Sequence, residues 1–441
     1  MKLITPPLVI EDSDGFTNDI FERKSFGDSL LGLIKHSDDG LVISLDSQWG
    51  EGKTTFIKMW QGVLKKEKIA NIYIDAFQND YNNDAFITIA SAIIAYTEKH
   101  CPDEKAGILD AAKKVGVKLL PIVGKITLKA VTLNLIDKSD IEALKTIKDD
   151  VATGTSDAAE KMIEERLNAQ TKDIDLVETF KTKLGELAKQ GNGKLVIIID
   201  ELDRCRPSFA VEILEKIKHF FSVPNVFFVL VMHKQQLECA VKHIYGDKIV
   251  AHTYLQKFIH VETTLPKRND DFRHRSDVRT YVEQLFKLHD ISVKGPNNKE
   301  LLNKELVKET ELINYLDTFS KHFKLSLREL EKVFTNLVII YSNQRIKIFL
   351  KEVRTYHIIA FVAIIKVKHP KIFDRLQLKN ISYEELNEQL DISAIKFDVN
   401  NEYSLTIIKD MLLINEKISF HKNYPFLLSE AIEALSLFNI S

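Results

Sequence analysis

The chain has 441 residues, room for about three domains at ~150 residues each. Hydrophobic residues make up 45% and charged residues 28%, enough apolar mass for a large core, which excludes a disordered tail, a collagen or a disulfide-stapled miniprotein. Sixty-one Lys and Arg against 63 Asp and Glu give a net charge of −2, so no bulk charge drives the chain onto nucleic acid or anionic lipid.

Residues 1–40 read as a lead-in with one amphipathic helix, Phe21 to Ile34, closed by the turn-like Ser37-Asp38-Asp39-Gly40. The opening reaches Glu11 and Asp12 too soon to hold the apolar region of a signal peptide. Leu41 to Asp46 is a short apolar run suited to a buried strand, and it leads through Ser47-Gln48-Trp49-Gly50-Glu51-Gly52-Lys53-Thr54-Thr55 into a helix reaching about Lys66. A second strand, Asn71 to Phe77, precedes a helix from about Asp84 to Lys99.

Residues 101–190 are helical in pattern and lack a strand signal. Within them Lys114, Lys118, Lys125 and Lys129 share one narrow helix face, and Pro121 and Gly124 would kink it. Three readings compete: core helices of an insertion, a face for a partner helix, and a peripheral membrane helix. The soluble reading is favoured, because lysines at these positions oppose a membrane span.

A third strand, Lys194 to Asp200, runs into Glu201-Leu202-Asp203-Arg204-Cys205-Arg206-Pro207 and an amphipathic helix. Val226 to Met232 is a fourth buried strand, and Gln235 to Tyr245 a helix stopped by Gly246. Strands alternating with helices imply an α/β fold whose parallel sheet is covered on both faces. From about residue 270 onward the pattern is helical, and Ile358 to Ile365 is an apolar core helix too short to span a bilayer. The expected organisation is 1–100 and 191–268 as two parts of one core, 101–190 as a helical insertion, and 269–441 as an all-α lid. Cys101, Cys205 and Cys239 show no CxxC spacing, which suggests a reducing cytoplasmic setting and argues against structural zinc.

The chemistry gathers at two places. Gly50-x-Gly52-Lys53-Thr54 lies between a buried strand and a helix, where a phosphate loop wraps backbone N–H groups around the β- and γ-phosphates. Lys53 would bridge those phosphates and the Thr54 hydroxyl would ligate Mg²⁺, with Glu51 and Thr55 completing the binding segment. The first glycine of the full pattern is replaced by Ser47. On this segment alone, a helix N-terminus that happens to hold Gly-Lys-Thr is the competing reading. The second place is the strand ending in Asp200-Glu201, where Asp200 would hold Mg²⁺ and Glu201 would act as general base on the attacking water. Both Asn-Lys pairs, Asn298-Lys299 and Asn303-Lys304, continue into Glu-Leu and lack the guanine-reading aspartate, so ATP is favoured over GTP.

Trp49 to Thr54, together with Ile199 to Pro207, closely resembles the KAP family of P-loop NTPases. Val211 to Lys218, Val223 to Leu230, Tyr254 to Phe258 and Leu327 to Lys332 continue the likeness, which covers roughly residues 15–100 and 190–345. The resemblance implies an additional-strand, catalytic-glutamate ATPase that works as a nucleotide-driven switch, with ATP and Mg²⁺ as cofactors. It further implies a homo-oligomer and protein partners from a bacterial phage-exclusion or defence module. Since many members insert membrane-spanning helices between the Walker motifs, the Lys114 to Ile136 segment resembles a lysine-bearing remnant of them. His233 stands where a polar sensor would read the γ-phosphate; a solvated strand-end histidine is the plainer reading. Arg328 resembles a lid arginine contacting the γ-phosphate, and Arg204 or Arg206 would serve as an arginine finger. An exposed helix arginine and an ion-paired turn are the respective alternatives. Trp49 reads as packing for the loop. No zinc module or aromatic-basic pattern announces nucleic acid, and Arg268, Arg273, His274 and Arg275 fit a solvated linker. A non-hydrolysing nucleotide-bound scaffold and a DNA-associated motor are the alternatives to the switch.

Overall fold

The computed structural model describes residues 1–6, 8–10, 15–81, 84–119, 177–190, 192–220, 223–269, 275–291, 299–343, 346, 356–395 and 424–438, with only the backbone of 114–119, 299–309 and 424–426. The lysine-bearing stretch from residue 120 onward, and Arg273 and His274, lie outside the described residues. In chain order the first elements are α1 (Lys24–His36), β1 (Leu41–Asp46), α2 (Lys53–Lys66), β2 (Ala70–Asp75), α3 (Ala76–Asn79), α4 (Ala85–His100), α5 (Lys105–Leu119) and α6 (177–190). Then follow β3 (Leu195–Asp200), α7 (Pro207–Ile217), β4 (Val226–Met232), α8 (Lys234–Tyr245), α9 (Ala251–Leu255) and β5 (Val261–Thr264). The remainder is α10 (Asp277–His289), α11 (Lys299–His322), α12 (Leu327–Ser342), α13 (Tyr356–Lys368), α14 (Pro370–Gln377), α15 (Tyr383–Leu390) and α16 (Tyr424–Ser436).

The five strands form one sheet in the order β2-β3-β4-β1-β5, and every pairing is parallel. β3 and β4 are buried along their whole length, as unbroken apolar runs must be when helices cover both faces. Alternation then sorts the side chains. Ile43, Leu45, Val196, Ile198, Phe227 and Val229 pack toward Leu31, Ile34, Phe56 and Trp60 of α1 and α2. Val42, Ile72, Ile197, Ile199 and Phe228 pack toward Ile89, Leu184, Phe209, Leu214 and Leu237 on the other face. Burying each such side chain contributes roughly 1.5–3 kcal/mol. The fully buried Trp60 also donates its indole N–H to Gly27 O at 3.0 Å, which fixes α2 on α1. Since β4 lies between β1 and β3, the two strands that carry the site residues are not neighbours, as expected for the additional-strand class.

Every described element after Thr264 is helical. Tyr356 to Ile365 of α13 are buried all round, so this helix is the centre of a second core shared with Leu316, Phe319, Phe334, Leu337 and Leu435. Among the described residues no helix is long and apolar enough to cross a membrane.

Three local expectations need correction. α1 begins at Lys24, three residues after Phe21, because the Asp19 carboxylate takes the backbone N–H groups of Phe21 (3.1 Å) and Arg23 (2.6 Å) and holds them out of the helix. β2 stops at Asp75, whose side chain accepts from Gln78 N at 2.9 Å and caps the short α3. The sheet has a fifth strand, β5, whose Val261-Glu262-Thr263-Thr264 alternates between half-buried and exposed at the sheet edge. A polar edge strand carries no apolar run by which to find it.

Candidate functional site

β1 delivers the chain to the carboxyl edge of the sheet, and the loop from Ser47 to Gly52 turns it into α2. Gly50 (φ +79°) and Gly52 (φ +84°) both adopt the left-handed conformation that glycine takes without cost. Gly52 is the N-cap of α2 and offers no capping side chain, so the first N–H groups of the helix remain available to an anion. Ser47 does not use the left-handed region, which is why a residue with a side chain is tolerated where the motif has glycine. The buried Lys53 donates its ammonium to Ser47 O (2.5 Å) and Gln48 O (3.1 Å) and so lies across its own loop. Burial pushes its pKa below the ordinary lysine value, against the pull of Asp203, Glu201, Asp200 and Asp46. The buried Glu51 pairs its carboxylate with Lys267 at 2.8 Å. Thr54 and Thr55 are half-buried on the first turn of α2.

The outer side of the loop is held by two contacts. Arg23, only 5% exposed, donates Nη1 to Glu51 O at 3.2 Å and pairs with Asp277 of α10 at 3.5 Å. The backbone N–H of Arg328 donates to Gly50 O at 3.3 Å. Arg328 is the second residue of α12, whose start is fixed by the reciprocal Ser326–Glu329 capping box. A Cβ on Gly50 would sit 2.8 Å from the Arg328 Cβ, so only glycine permits this approach. The Arg328 side chain is exposed and has no ion pair among the described residues.

β3 brings Asp200 and Glu201 to the same edge. Asp200 is 1% exposed; its Oδ1 accepts from Glu201 N (2.8 Å) and its Oδ2 from the Tyr73 hydroxyl (3.0 Å). The Thr54 hydroxyl lies within reach of both carboxylates, 3.4 Å from Glu201 Oε1. Glu201 itself sits at φ 59°, ψ 28°, a left-handed conformation that costs a non-glycine residue about 1–3 kcal/mol. Its Oε2 pairs with Arg204 Nε at 2.6 Å. Burial raises the pKa of both Asp200 and Glu201, and for Glu201 the Arg204 guanidinium opposes the rise.

The remaining expected residues fall as follows. Arg206 is tied to Asp80 through its backbone N–H (3.1 Å) and its guanidinium, an ion-paired turn in the described structure. Trp49 is 44% exposed, which corrects the packing expectation: its indole N–H reaches Asp203 and its ring meets His233 edge-on at 5.7 Å. His233 precedes α8, and its Nδ1 is buried without a hydrogen bond. Ser47 Oγ and Asp203 Oδ1 are likewise buried and unsatisfied. Buried polar atoms without partners are rare, and three around one loop mark a place where a polar ligand would complete them. Tyr73 and Arg23 are contributors that sequence reasoning missed, since neither lies in a motif.

A hydroxyl and a carboxylate form an all-oxygen donor pair suited to Mg²⁺. Among the described residues no group of three His, Cys, Asp or Glu could hold a metal alone, so a cation beside Thr54 and Asp200 would draw its other ligands from phosphate and water.

The profile of the KAP family P-loop domain matches residues 23–344. The Phage T7 exclusion protein of Escherichia coli (strain K12) is 21% identical over 385 residues, covering 83% of this chain. The chain spans about half of that relative's length, 46%. The Aeropyrum pernix ORC2 protein, in its ADPNP–ADP complexes, aligns over 94% of both chains at 12% identity with a TM-score of 0.37, too low to bear on the argument. With a family match that runs from the buried Arg23 behind the loop to the end of α12, this chain belongs to the KAP family of P-loop NTPases.

Proposed function

We propose that the chain binds ATP with Mg²⁺, hydrolyses it, and acts as a nucleotide-driven switch in which the helical region closes on the phosphate loop. The observation that carries this reading is the convergence of Lys53, Thr54, Asp200 and Glu201 at one sheet edge, under the N-terminus of α12. Backbone N–H groups of Gly50 to Thr55 and the Lys53 ammonium bind the phosphates. Thr54 and Asp200 hold the metal, which when bound neutralises phosphate charge. Glu201 orients the attacking water and takes its proton. Arg204 positions the Glu201 carboxylate in the described state. Release of inorganic phosphate by the pure protein, with and without DNA, tests the reading: turnover independent of DNA supports the switch, none supports a scaffold, and DNA-stimulated turnover supports a motor.

The likeness to a phage-exclusion protein supports a role in antiviral defence; partners from the same module and a homo-oligomeric, cytoplasmic form belong to the proposal as what such a role would require. Plating efficiency of phage on cells expressing wild-type or Lys53→Ala protein tests that role; protection lost with the lysine is expected.

The two arginines divide affinity from rate. Arg328→Ala keeps the backbone bond to Gly50 O and loses one charge-assisted contact to phosphate, so affinity for a non-hydrolysable ATP analogue falls about tenfold. Arg204→Ala leaves that affinity within about twofold and lowers turnover, because its guanidinium acts on charge that develops in the transition state. Since Arg204 pairs with Glu201 of its own chain, specific activity should not depend on protein concentration. Rescue of Arg204→Ala by mixing with Lys53→Ala protein would instead place the arginine in a neighbouring protomer's site.

A further inference from the structure

We propose that Tyr73 is a positioning residue for the metal site, holding the Asp200 carboxylate so that it and Thr54 can share one divalent cation; the proposal rests on the ATP and Mg²⁺ reading above. β2 alternates strictly, with Ala70, Ile72 and Ile74 buried and Asn71, Tyr73 and Asp75 half-buried. The second set faces α2, where Gln61 donates to Asn71 Oδ1 at 3.0 Å and the Tyr73 ring packs with the core that contains Phe56 and Trp60. In register Tyr73 lies opposite Ile198 and Asp75 opposite Asp200. The phenol is long enough to carry its hydroxyl two residues along the sheet, where it donates to Asp200 Oδ2 at 3.0 Å.

The character of the donors supports a role beyond satisfying a buried group. Asp200 is 1% exposed and makes no ion pair among the described residues. Its donors are a tyrosine hydroxyl, the backbone N–H of Glu201 and the Thr54 hydroxyl, all of them neutral. An arginine or lysine here would orient the carboxylate but also neutralise it, competing with a metal. Neutral donors fix each oxygen while leaving the negative charge to a cation. One oxygen accepts Glu201 N at 2.8 Å and the other the Tyr73 hydroxyl at 3.0 Å, and with Thr54 as the third donor the carboxylate still keeps one lone pair for a cation. Tyr73 thus sets the rotation of the carboxylate from one strand while Glu201 sets it from the chain itself.

The test is Tyr73→Phe in the full chain, which keeps the ring and its packing. Binding of a non-hydrolysable ATP analogue is measured first in EDTA and then with Mn²⁺, whose affinity for the protein–analogue complex is read by electron paramagnetic resonance. We expect Mn²⁺ to bind about tenfold more weakly to the variant, the effect of losing a hydrogen bond to a charged group, with metal-free affinity changed less than about twofold. Asn71→Ala, on the same face of β2, controls for loosening of the strand and should leave Mn²⁺ affinity near wild type. Equal Mn²⁺ affinity in wild type and Tyr73→Phe would overturn the proposal. A parallel fall in metal-free and Mn²⁺-dependent binding would also overturn it, by showing damage to the loop instead. A wild type that holds no analogue under either condition would overturn the nucleotide reading itself, and this proposal with it.

Discussion

Lys53→Ala should lower affinity for a non-hydrolysable ATP analogue by on the order of 10²-fold, the largest binding effect expected of any single change in this chain. Among the described residues the Lys53 ammonium is the cation that lies across the loop, and at 9% exposure it acts in a medium that screens charge poorly. In the described structure its donors reach the carbonyl oxygens of Ser47 and Gln48. On the proposed reading, phosphate oxygens would take over these contacts to the ammonium. The alanine variant removes that charge and also leaves two carbonyls without their donor, so the melting temperature should drop slightly as well. Isothermal titration separates the effects, because a protein still folded at the working temperature reports affinity alone. Unchanged affinity in a folded variant would mean that the loop is not a phosphate site.

Legibility in the sequence followed the range of the interactions. β1, β3 and β4 were readable because a strand covered on both faces is a short, almost continuous apolar run bounded by turn residues. Gly50 to Thr54 and Asp200-Glu201 were readable because each chemistry sits on consecutive residues. β5 was not, since Glu262, Thr263 and Thr264 at a sheet edge need only backbone pairing to β1. Tyr73 was not, because its meaning depends on the register that sets β2 beside β3, and 127 residues separate it from Asp200. Arg23 was missed for the same reason: its partners Glu51 and Asp277 lie far along the chain. The exposed Trp49 misled in the opposite direction, since a tryptophan beside a glycine is usually packing, and here it bridges Asp203 and His233 at the surface.

Glu201→Gln should leave ATP bound and slow turnover by on the order of 10²-fold or more, the usual consequence of removing a positioned general base. Glu201 is held in place from three sides: its left-handed backbone at φ 59°, the Thr54 hydroxyl 3.4 Å from Oε1, and the Arg204 Nε 2.6 Å from Oε2. An amide of the same shape keeps the backbone and still accepts through its oxygen, so the fold and the phosphate contacts survive while the ability to take a proton is lost. Partial burial raises the carboxyl pKa above that of an ordinary glutamate and makes the ionised form a stronger base, while Arg204 works in the opposite direction. The sign of the pH dependence follows: a base must be unprotonated, so wild-type turnover should fall as pH drops through the raised Glu201 pKa. The glutamine variant should lack that acidic limb. Phosphate release measured across pH, alongside analogue titration, tests both parts together. A variant that hydrolyses ATP as fast as wild type would remove Glu201 from the mechanism. One that is slow but keeps the acidic limb would assign the limb to another group, with the buried Asp200 next in line.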